Sequence, residues 1–240
     1  MLAIETIHLT KSFKEKTVVN DLNLQIEKDT LFSLLGTNGA GKTTTIKMLA
    51  GLLKPNSGDA LLEEKSIVHQ SNLVKPVINI SPQETAVAPN LTVKENLEFM
   101  AGIYCINNSK QKIEDLMKKF HLEEVQKQKA KTLSGGWQRK LSIAMALIND
   151  PKILFLDEPT LGLDVIARRE LWEIIRELKT KITIILTTHY MEEAEALSDK
   201  IGIMANGKLL CVGTSEELIE KANAKNFEDA FVSIATGGSL

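Results

Sequence analysis

The sequence predicts an α/β protein with a parallel core sheet, a smaller antiparallel sheet and an inserted group of helices. Strand-like runs rich in β-branched and apolar residues alternate with helical patterns, which is typical of a parallel sheet covered by helices. The opening segments instead alternate polar and apolar residues, and the stretch between Pro89 and Pro151 carries helical signals without strand signals. A chain of 240 residues fits one large domain of this kind better than two independent domains.

The expected strands fall into two groups. "AIETIHLTKSF" and "VVNDLNLQI" have the period of two that half-buried antiparallel strands show, so we expect them to form the smaller sheet. The core strands are expected at 30–36, 77–81, 152–158 and 182–189. The last strand signal, "GIMANGKLLCVG", predicts a hairpin because Asn206-Gly207 favours a two-residue turn.

Helix starts mark the insert. Thr92 and Glu95 form a capping box before "NLEFMAGIY". Ser109 is expected to cap "KQKIEDLMKKF", and Ser134 is expected to cap the helix that contains "QRKLSIAMALIND". A second capping box begins at Thr214, beyond the hairpin. We therefore expect one domain over 1–220, with its core at 1–88 and 151–213, a helical subdomain at 89–150 and a C-terminal helical tail at 214–240.

Composition narrows the classes of function. Apolar residues make up 43% of the chain and aromatic residues 5%, and the formal charge is -2. Nucleic-acid binding usually requires a basic face and stacking aromatics, so we expect no nucleic-acid partner. Cys105 and Cys211 stand far apart without a CxxC motif, which favours a reduced cytosolic setting over a zinc site or a disulfide framework. No apolar run approaches the length of about eighteen residues that a membrane span needs, and the opening lacks an export-signal pattern, so neither is expected.

The strongest local motif is "GTNGAGKTT", residues 36–44, which matches G-x-x-x-x-G-K-[ST] between the strand "LFSLL" and a helical pattern. Its glycines let the backbone bring N–H groups to phosphate oxygens, while Lys42 adds a positive charge and Thr43 a hydroxyl for Mg²⁺. A glycine-rich turn that only caps a helix is the alternative, but the complete motif in this context predicts nucleotide binding. GTP is disfavoured because no N-K-x-D segment is present. The expected nucleotide-binding residues of this loop are Gly36, Thr37, Asn38, Gly39, Ala40, Gly41, Lys42, Thr43 and Thr44.

Two carboxylates, Asp157 and Glu158, end the apolar run "ILFL". Parallel sheets hold ligands at the carboxyl ends of their strands. Asp157 can then reach Mg²⁺ through its water shell, and Glu158 can face a water in line with the γ-phosphate. Two exposed acids at a strand end are the alternative, which the nearby phosphate loop disfavours.

A second anion site is predicted at "LSGGW". Ser134, Gly135 and Gly136 begin a helix, where unpaired backbone N–H groups and the helix dipole favour an anion. The chain already has a phosphate loop, so this second site raises the question of which anion it holds.

The motifs "GTNGAGKTT", "LSGGW", "ILFLDEPTLGLD" and "TTHYMEEAEALSD", in that order, resemble the nucleotide-binding domain of ABC transporters over nearly the whole chain. The resemblance implies a P-loop NTPase fold with a RecA-like parallel core sheet, a small antiparallel β subdomain and an inserted helical subdomain. It also implies ATP and Mg²⁺ as cofactors, and ATP hydrolysis coupled to transmembrane transport as the activity.

The resemblance also implies roles for single residues. Phe13 falls where the family has an aromatic residue stacked on adenine, with a plain core position as the alternative. Gln83 matches a glutamine that touches Mg²⁺ and the attacking water. Asp164 matches an acid that contacts the opposing subunit, and His189 matches a histidine that senses the γ-phosphate. The catalytic set so implied is Glu158, His189, Lys42 and Gln83. The implied metal ligands are Thr43, Gln83 and Asp157.

The arrangement implied by the resemblance also answers which anion "LSGGW" holds. The insert is too far from the chain's own phosphate loop, so the anion is expected to be the γ-phosphate of ATP on a second copy packed head to tail, or on a similar ATPase in a heterodimer. The ending "GKLLCVGTSEEL" looks like members that serve two-component exporters. That likeness implies a separate transmembrane permease, with this chain peripheral at the cytoplasmic face of the cell membrane. Because Gln83 links the nucleotide site to the helical insert, we expect the surface around residues 84–100 to receive a short cytoplasmic helix of the permease.

Three positions depart from the family's pattern. Trp137 replaces the usual glutamine after "LSGG", "KDT" at 28–30 replaces "PGE", and Thr37 stands where proline is frequent. None of these changes removes a phosphate donor or a metal ligand. Trp137 is expected to alter the surface formed by "LSGGW" without abolishing its function.

Two other functions compete with transport. A soluble ABC ATPase that acts on DNA or ribosomes usually joins two cassettes, or inserts coiled coils or zinc motifs, whereas this sequence has one cassette and no CxxC pair. In a P-loop kinase, "LSGG" would have no role and an arginine-rich lid would be expected.

Overall fold

Strands and helices alternate along the chain in the structure, a computed structural model that describes residues 1–237. The strands are β1 (Leu2–Phe13), β2 (Lys16–Glu27), β3 (Leu31–Leu35), β4 (Ser57–Leu62), β5 (Lys65–Ser66), β6 (Ile78–Ser81), β7 (Ile153–Asp157), β8 (Thr183–Thr188), β9 (Lys200–Ala205) and β10 (Lys208–Gly213). The helices are α1 (Lys42–Leu49), α2 (Ser71–Val74), α3 (Val93–Ile103), α4 (Ser109–Lys119), α5 (Gly135–Ala146), α6 (Val165–Leu178), α7 (Met191–Leu197), α8 (Ser215–Lys221) and α9 (Phe227–Thr236). Short 3₁₀ helices span Lys75–Val77, Leu122–Val125 and Ala130–Thr132.

The core sheet has six strands in the order β10-β9-β3-β8-β7-β6. Its neighbouring strands run parallel except for β9 and β10, which form the predicted antiparallel hairpin. The turn residues Asn206 and Gly207 have φ values of 49° and 78°, and a two-residue hairpin turn of this type requires both to be positive. Because β3, β6, β7 and β8 lie inside the four predicted ranges, the predicted parallel sheet is confirmed.

Both faces of the core sheet are buried, because alternate residues of its central strands join different hydrophobic clusters. Leu154 and Leu156 of β7 pack with residues of α3, α4 and α5 on the side of the insert. Ile153 and Phe155 pack on the other side, with residues of α1 and the smaller sheet. This burial explains why β7 is a continuous apolar run rather than an alternating one. It also brings the carboxyl ends of β3, β7 and β8 to one edge of the sheet.

The smaller sheet has the order β2-β1-β4-β5, and its strands are antiparallel. The alternation in the opening segments predicted this sheet, and the prediction is confirmed. Along β2, Val19, Leu22, Leu24 and Ile26 are buried and most of the residues between them are exposed. One face of the sheet therefore packs on the core while the other meets solvent.

The insert is helical, as predicted, with α3, α4 and α5 as its main elements. The capping boxes are confirmed at Thr92 with Glu95 and at Thr214 with Glu217. The prediction that Ser109 caps a helix is wrong, because Asn108 holds the cap position in the left-handed conformation that asparagine tolerates, and Ser109 is already helical.

The predicted boundaries of the subdomains stay predictions, and the tail expected at 214–240 extends beyond the described residues, which include α8 and α9. Every helix within residues 1–237 is too short or too polar to cross a lipid bilayer.

We predict that Gly58→Ala destabilises the fold far more than Gly51→Ala. Both glycines have positive φ, +76° and +70°, so each substitution carries backbone strain of about 1 kcal/mol. Only at Gly58 would the new Cβ meet the backbone, 2.2 Å from the carbonyl oxygen of His8, whereas nothing lies within 4 Å at Gly51. Overpacking should add about 3 kcal/mol at Gly58. Urea denaturation measures both losses, and equal losses would contradict the close approach of β1 to β4.

Candidate functional site

The loop between β3 and α1 forms one wall of a cleft of about 430 Å³ at the carboxyl edge of the core sheet. Three of its glycines are required by geometry. Gly41 has a φ of +106°, and a Cβ there would lie 2.6 Å from the carbonyl oxygen of Val18. A Cβ at Gly36 would lie 2.3 Å from the carbonyl oxygen of Met204, and Gly39 has a φ of +81°. The cleft is lined by Val18, Asn38, Gly39, Ala40, Gly41, Lys42, Thr43, Thr44, Gln83, Glu158, Leu161 and His189.

The ammonium group of Lys42 is held inside this loop. Its Nζ donates hydrogen bonds to the carbonyl oxygens of Gly36 and Thr37, at 2.7 and 3.3 Å. The same Nζ lies 3.4 Å from Oε1 of Glu158, and both side chains are almost fully buried. The positive charge is therefore fixed at the floor of the cleft and balanced by a carboxylate.

Asp157 joins three segments through one oxygen. Its Oδ1 accepts a hydrogen bond from Thr43 Oγ1 at 3.0 Å and another from Thr187 Oγ1 at 2.5 Å. Asp157 is 2% exposed, so it lies behind the cleft rather than on its surface. The carboxylate and the Thr43 hydroxyl together present oxygen atoms, the ligand type that Mg²⁺ prefers.

Glu158 follows β7 with a φ of 49°, a left-handed conformation that is uncommon for this residue type. Its backbone N–H donates to the carbonyl and to the hydroxyl oxygen of Thr187, both at 3.1 Å, and these bonds stabilise the turn. Its Oε2 lies 2.7 Å from Nδ1 of His189. The turn thus points one carboxylate at both Lys42 and His189, although the two adjacent acids gave no signal of this conformation in the sequence.

Gln83 lines the same cleft and is supported by a residue that the sequence analysis missed. Arg139 on α5 donates to the carbonyl oxygens of Pro82 at 2.7 Å and of Gln83 at 2.5 Å. The residue is 4% exposed. Burial lowers the pKa of the Arg139 guanidinium, against the opposing charges of Asp157 and Glu193. The signal that was available is an arginine next to the mainly apolar run of α5 that begins at Leu141.

Several predicted nucleotide contacts lie outside this cleft. Ser134 is the N-cap residue of α5, as predicted, but its side chain makes no capping bond and is exposed. Asp164 caps α6 by accepting from the N–H groups of Ile166 and Ala167 at 2.9 and 3.0 Å, which lowers the pKa of its carboxyl. Gly135 and Gly136 are likewise absent from the lining of the cleft.

Phe13 ends β1 with 47% of its surface exposed, so a core position is excluded for it. The Nζ of Lys11 lies 5.3 Å from the centre of its ring. The ring is not part of the lining of the phosphate cleft, but it is free to contact a flat group from solvent.

Glu193 is a second buried group that the sequence analysis missed. It lies on α7 with no exposed surface, and its Oε1 accepts a hydrogen bond from Trp172 Nε1 at 3.1 Å. Its Oε2 has no partner among residues 1–237. Burial raises the pKa of this carboxyl, so the packing of α7 on α6 favours its protonated form.

The chain is similar in sequence to several known proteins. A family model described as "ABC transporter" matches residues 19–161. The linearmycin resistance ATP-binding protein LnrL of Bacillus subtilis (strain 168) is 37% identical over 221 residues, which are 91% of this chain and 71% of that protein. The human phospholipid-transporting ATPase ABCA3 is 41% identical over 92% of this chain, and ABC transporter A family member 2 of Arabidopsis thaliana is 48% identical over 81% of it. The chain spans only 13% and 20% of the length of these two relatives.

Solved structures agree on the fold. An ATP-binding subunit of an ABC transporter superposes with a TM-score of 0.87 at 26% identity, covering 97% of this chain and 99% of that chain. A dimeric ATP-binding cassette in a post-hydrolysis state, bound to ADP and Pi, superposes with a TM-score of 0.80 at 23% identity, covering 88% and 98% of the two chains. The predicted P-loop NTPase fold is therefore confirmed.

We predict that Glu193→Gln stabilises the protein increasingly as the pH rises. Below the ordinary carboxyl pKa of 4.5, Glu193 is protonated in both the folded and the unfolded state, so it adds no pH dependence. Above that value the unfolded chain releases the proton, while the folded chain, with its raised pKa, retains it. The free energy of unfolding of the wild type then falls by up to about 1.4 kcal/mol per pH unit until the folded pKa is reached.

Glutamine keeps the hydrogen bond from Trp172 but has no proton to lose. Urea denaturation from pH 4.5 to 8 should therefore show a widening difference in favour of Glu193→Gln. A difference that stays constant over this range would contradict the protonated state.

Proposed function

This chain belongs to the ABC transporter family, and from that premise we propose that it is the subunit that drives a separate transmembrane protein. Within the family it is an ATP-binding and ATP-hydrolysing domain. The observation that carries the proposal is that Lys42, Thr43, Glu158 and His189 meet around one cleft. Each of these side chains then has a task that follows from its contacts.

Lys42 binds the β- and γ-phosphates of ATP in this proposal. Its Nζ now donates to two backbone carbonyl oxygens and pairs with Glu158. Phosphate oxygens carry a full negative charge and are stronger acceptors than carbonyl oxygens, so they would replace them. If the phosphates also replace Glu158 as the partner of Lys42, the Glu158 carboxylate becomes available to bind a water molecule.

The residues at this cleft fit Mg²⁺, because they supply oxygen ligands already held in place. Thr43 and Asp157 are joined by a hydrogen bond, and Gln83 adds an amide oxygen from the lining of the cleft. Such a set suits a hard cation that keeps several of its waters. When bound, Mg²⁺ would neutralise part of the negative charge on the phosphates of the nucleotide.

Glu158 orients the attacking water and accepts its proton. An ionised carboxylate only accepts hydrogen bonds, so Nδ1 of His189 carries the proton in the 2.7 Å contact between them. The other ring nitrogen of His189, Nε2, is then the atom that can contact a γ-phosphate oxygen. His189 would thereby hold the carboxylate and stabilise the charge that develops on the γ-phosphate.

The site becomes complete with a second copy of the chain or with a similar ATPase. Ser134, Gly135, Gly136 and Asp164 do not line the cleft of their own chain. The hydroxyl of Ser134 makes no capping bond, and the backbone N–H groups at the start of α5 can donate to an anion. We assign that anion to the γ-phosphate of ATP on the opposite subunit. A head-to-tail pair related by a two-fold axis contains two such sites, each with Phe13 against adenine.

The surface around residues 84–100 is the proposed contact with the transmembrane partner at the cytoplasmic face of the membrane. It is continuous with Gln83 in the chain and reaches along α3, where Phe99 is 55% exposed. A movement of the partner there would reach Gln83 directly. The names of the relatives include a phospholipid-transporting ATPase and a linearmycin resistance ATP-binding protein, which supports export as the direction of transport.

We predict that Glu158→Gln retains nucleotide binding but loses hydrolysis. The amide keeps the shape of the side chain and cannot accept the proton of water, so the rate should fall by at least about 100-fold. Lys42→Ala should instead weaken binding, because it removes the charge that faces the phosphates. Phosphate release and equilibrium binding of a fluorescent ATP analogue separate the two effects. A Glu158→Gln protein that hydrolyses ATP at the wild-type rate would refute the assigned role.

We also predict that two inactive variants, Lys42→Ala and Ser134→Arg, regain activity when they are mixed. Neither homodimer has a complete site. In the heterodimer, the Ser134→Arg chain supplies an intact phosphate loop and the Lys42→Ala chain supplies an intact "LSGGW". Random mixing should restore roughly a quarter of the wild-type sites, since half of the dimers then contain one whole site. Full ATPase activity from wild-type protein shown to be monomeric would rule out the composite site.

A further inference from the structure

A second cleft, of about 580 Å³, lies at the amino edge of the core sheet, opposite the nucleotide cleft. One wall is α4, where Lys112, Leu116 and Lys119 lie on one helical face. The other wall is formed by the chain that leads into β3, β7 and β8. The cleft therefore joins the helical insert to the core, and its volume is in the range of small-molecule sites.

The floor of this cleft is apolar. Leucine and isoleucine side chains from α4, α6 and the connections around them contribute to it, together with one proline. These residues are Leu116, Leu147, Pro151, Leu178 and Ile182. A ligand with an apolar body would bury this surface and gain the free energy of its removal from water.

Most of the charged groups on the walls already have partners. Glu63 accepts from Lys28 at 2.8 Å and lies 3.4 Å from Nζ of Lys152. Lys112 is paired with Asp150. Asp115 accepts a hydrogen bond from Gln111, and the charge of Asp29 acts on Lys28. Lys28, Lys112 and Lys152 are therefore paired with carboxylates without a ligand, while Asp115 has a neutral hydrogen-bond partner.

Among the five lysines that line the cleft, Lys119 and Lys181 are the two without an ion pair within residues 1–237. Neither ammonium makes an ion pair or a hydrogen bond with any residue in 1–237, and both side chains line the cleft. Burial and the nearby charges of Lys181 and Lys112 lower the pKa of Lys119, while Glu177 opposes this effect without making an ion pair. Lys119 and Lys181 thus place two unpaired ammonium groups beside an apolar floor, in a lining whose five lysines outnumber its four carboxylates, and an anion would relieve the repulsion between them.

We propose that this cleft binds an amphipathic organic anion, whose carboxylate or phosphate head group is held by Lys119 and Lys181 and whose apolar body lies on the leucine and isoleucine floor. A ligand in this position touches both the insert, which carries Ser134, and the core, which carries the phosphate loop. The assignment does not depend on the ATPase mechanism, because it rests on a different set of residues at the opposite edge of the sheet.

Calorimetric titration of the whole chain tests this assignment with octanoate and octyl phosphate as the two head groups. Octanamide supplies the body without the charge, and inorganic phosphate supplies the charge without the body. We expect at least one of the two anionic probes to bind once per chain, and both octanamide and inorganic phosphate to bind at least about tenfold more weakly than that probe.

Lys119→Gln and Lys181→Gln should each lower the affinity for the anionic probe that binds by about tenfold, because each removes a charged donor. Lys118→Gln is the matched control, since Lys118 is an exposed lysine of the same helix that does not line this cleft. Lys42→Ala is the second control and should leave the affinity unchanged, which separates this site from the phosphate loop.

The proposal is overturned if neither anionic probe binds, or if octanamide or inorganic phosphate binds as tightly as the better probe. It is also overturned if Lys119→Gln and Lys181→Gln bind that probe like Lys118→Gln. A loss of affinity in Lys42→Ala would assign the probe to the nucleotide cleft and would likewise reject the second site. Thermal unfolding of each variant verifies that the substitutions leave the fold intact.

Discussion

The two hydrogen bonds that Asp157 accepts on one oxygen tie together the segments on which the nucleotide cleft depends. Thr43 begins α1 directly after the phosphate loop, Asp157 ends β7, and Thr187 lies near the end of β8. The bonds fix the distance between the loop and the two neighbouring strand ends. Because the carboxylate is buried, the loss of either hydroxyl would remove one of the hydrogen bonds that stabilise it, which is unfavourable. The geometry of the cleft is therefore coupled to the register of the core sheet.

The register itself follows from the apolar strands. Asp157 is paired with Thr187 across the β7–β8 ladder, and Leu35 at the end of β3 is paired with Thr188. A slip of one residue would exchange the two faces of each strand and move side chains from one hydrophobic cluster into the other. Core packing thereby positions the polar residues that follow each strand, and the catalytic groups need no separate scaffold.

Contacts between polar side chains also determine the geometry of the nucleotide cleft. The Glu158 carboxylate contacts both the ammonium group of Lys42 and the imidazole of His189. The phosphates of a nucleotide would become new partners of Lys42. Binding would therefore rearrange the existing contacts of Lys42 and Glu158. Arg139 extends the connection from α5, whose start carries "LSGG", to the backbone at Gln83. Helix α5 is thus joined to the cleft of its own chain through the buried Arg139.

Features that depend on local geometry could be predicted from the order of the residues alone. The phosphate loop could be recognised because its glycines satisfy a backbone requirement, and the core strands because burial on both faces demands continuous apolar runs. The capping boxes at Thr92 and Thr214 are likewise bonds within one turn of chain. The predicted cap of α4 at Ser109 was one residue too late. The cap residue is Asn108, whose backbone is left-handed and whose side chain makes no capping bond.

Contacts between groups that are distant along the chain depend on how the elements pack. Arg139 contacts Gln83 across 56 positions of the chain, and Glu193 lies in a buried contact with Trp172 across 21. The cleft of Lys119 and Lys181 forms from residues of α4, α6 and three strand starts. No local pattern encodes such pairs, since a lysine or a glutamate on a helix has the same propensity whether it faces solvent or a neighbour. The sequence determined the elements and their polar ends, while the packing of those elements decided which charges are paired, buried or left free.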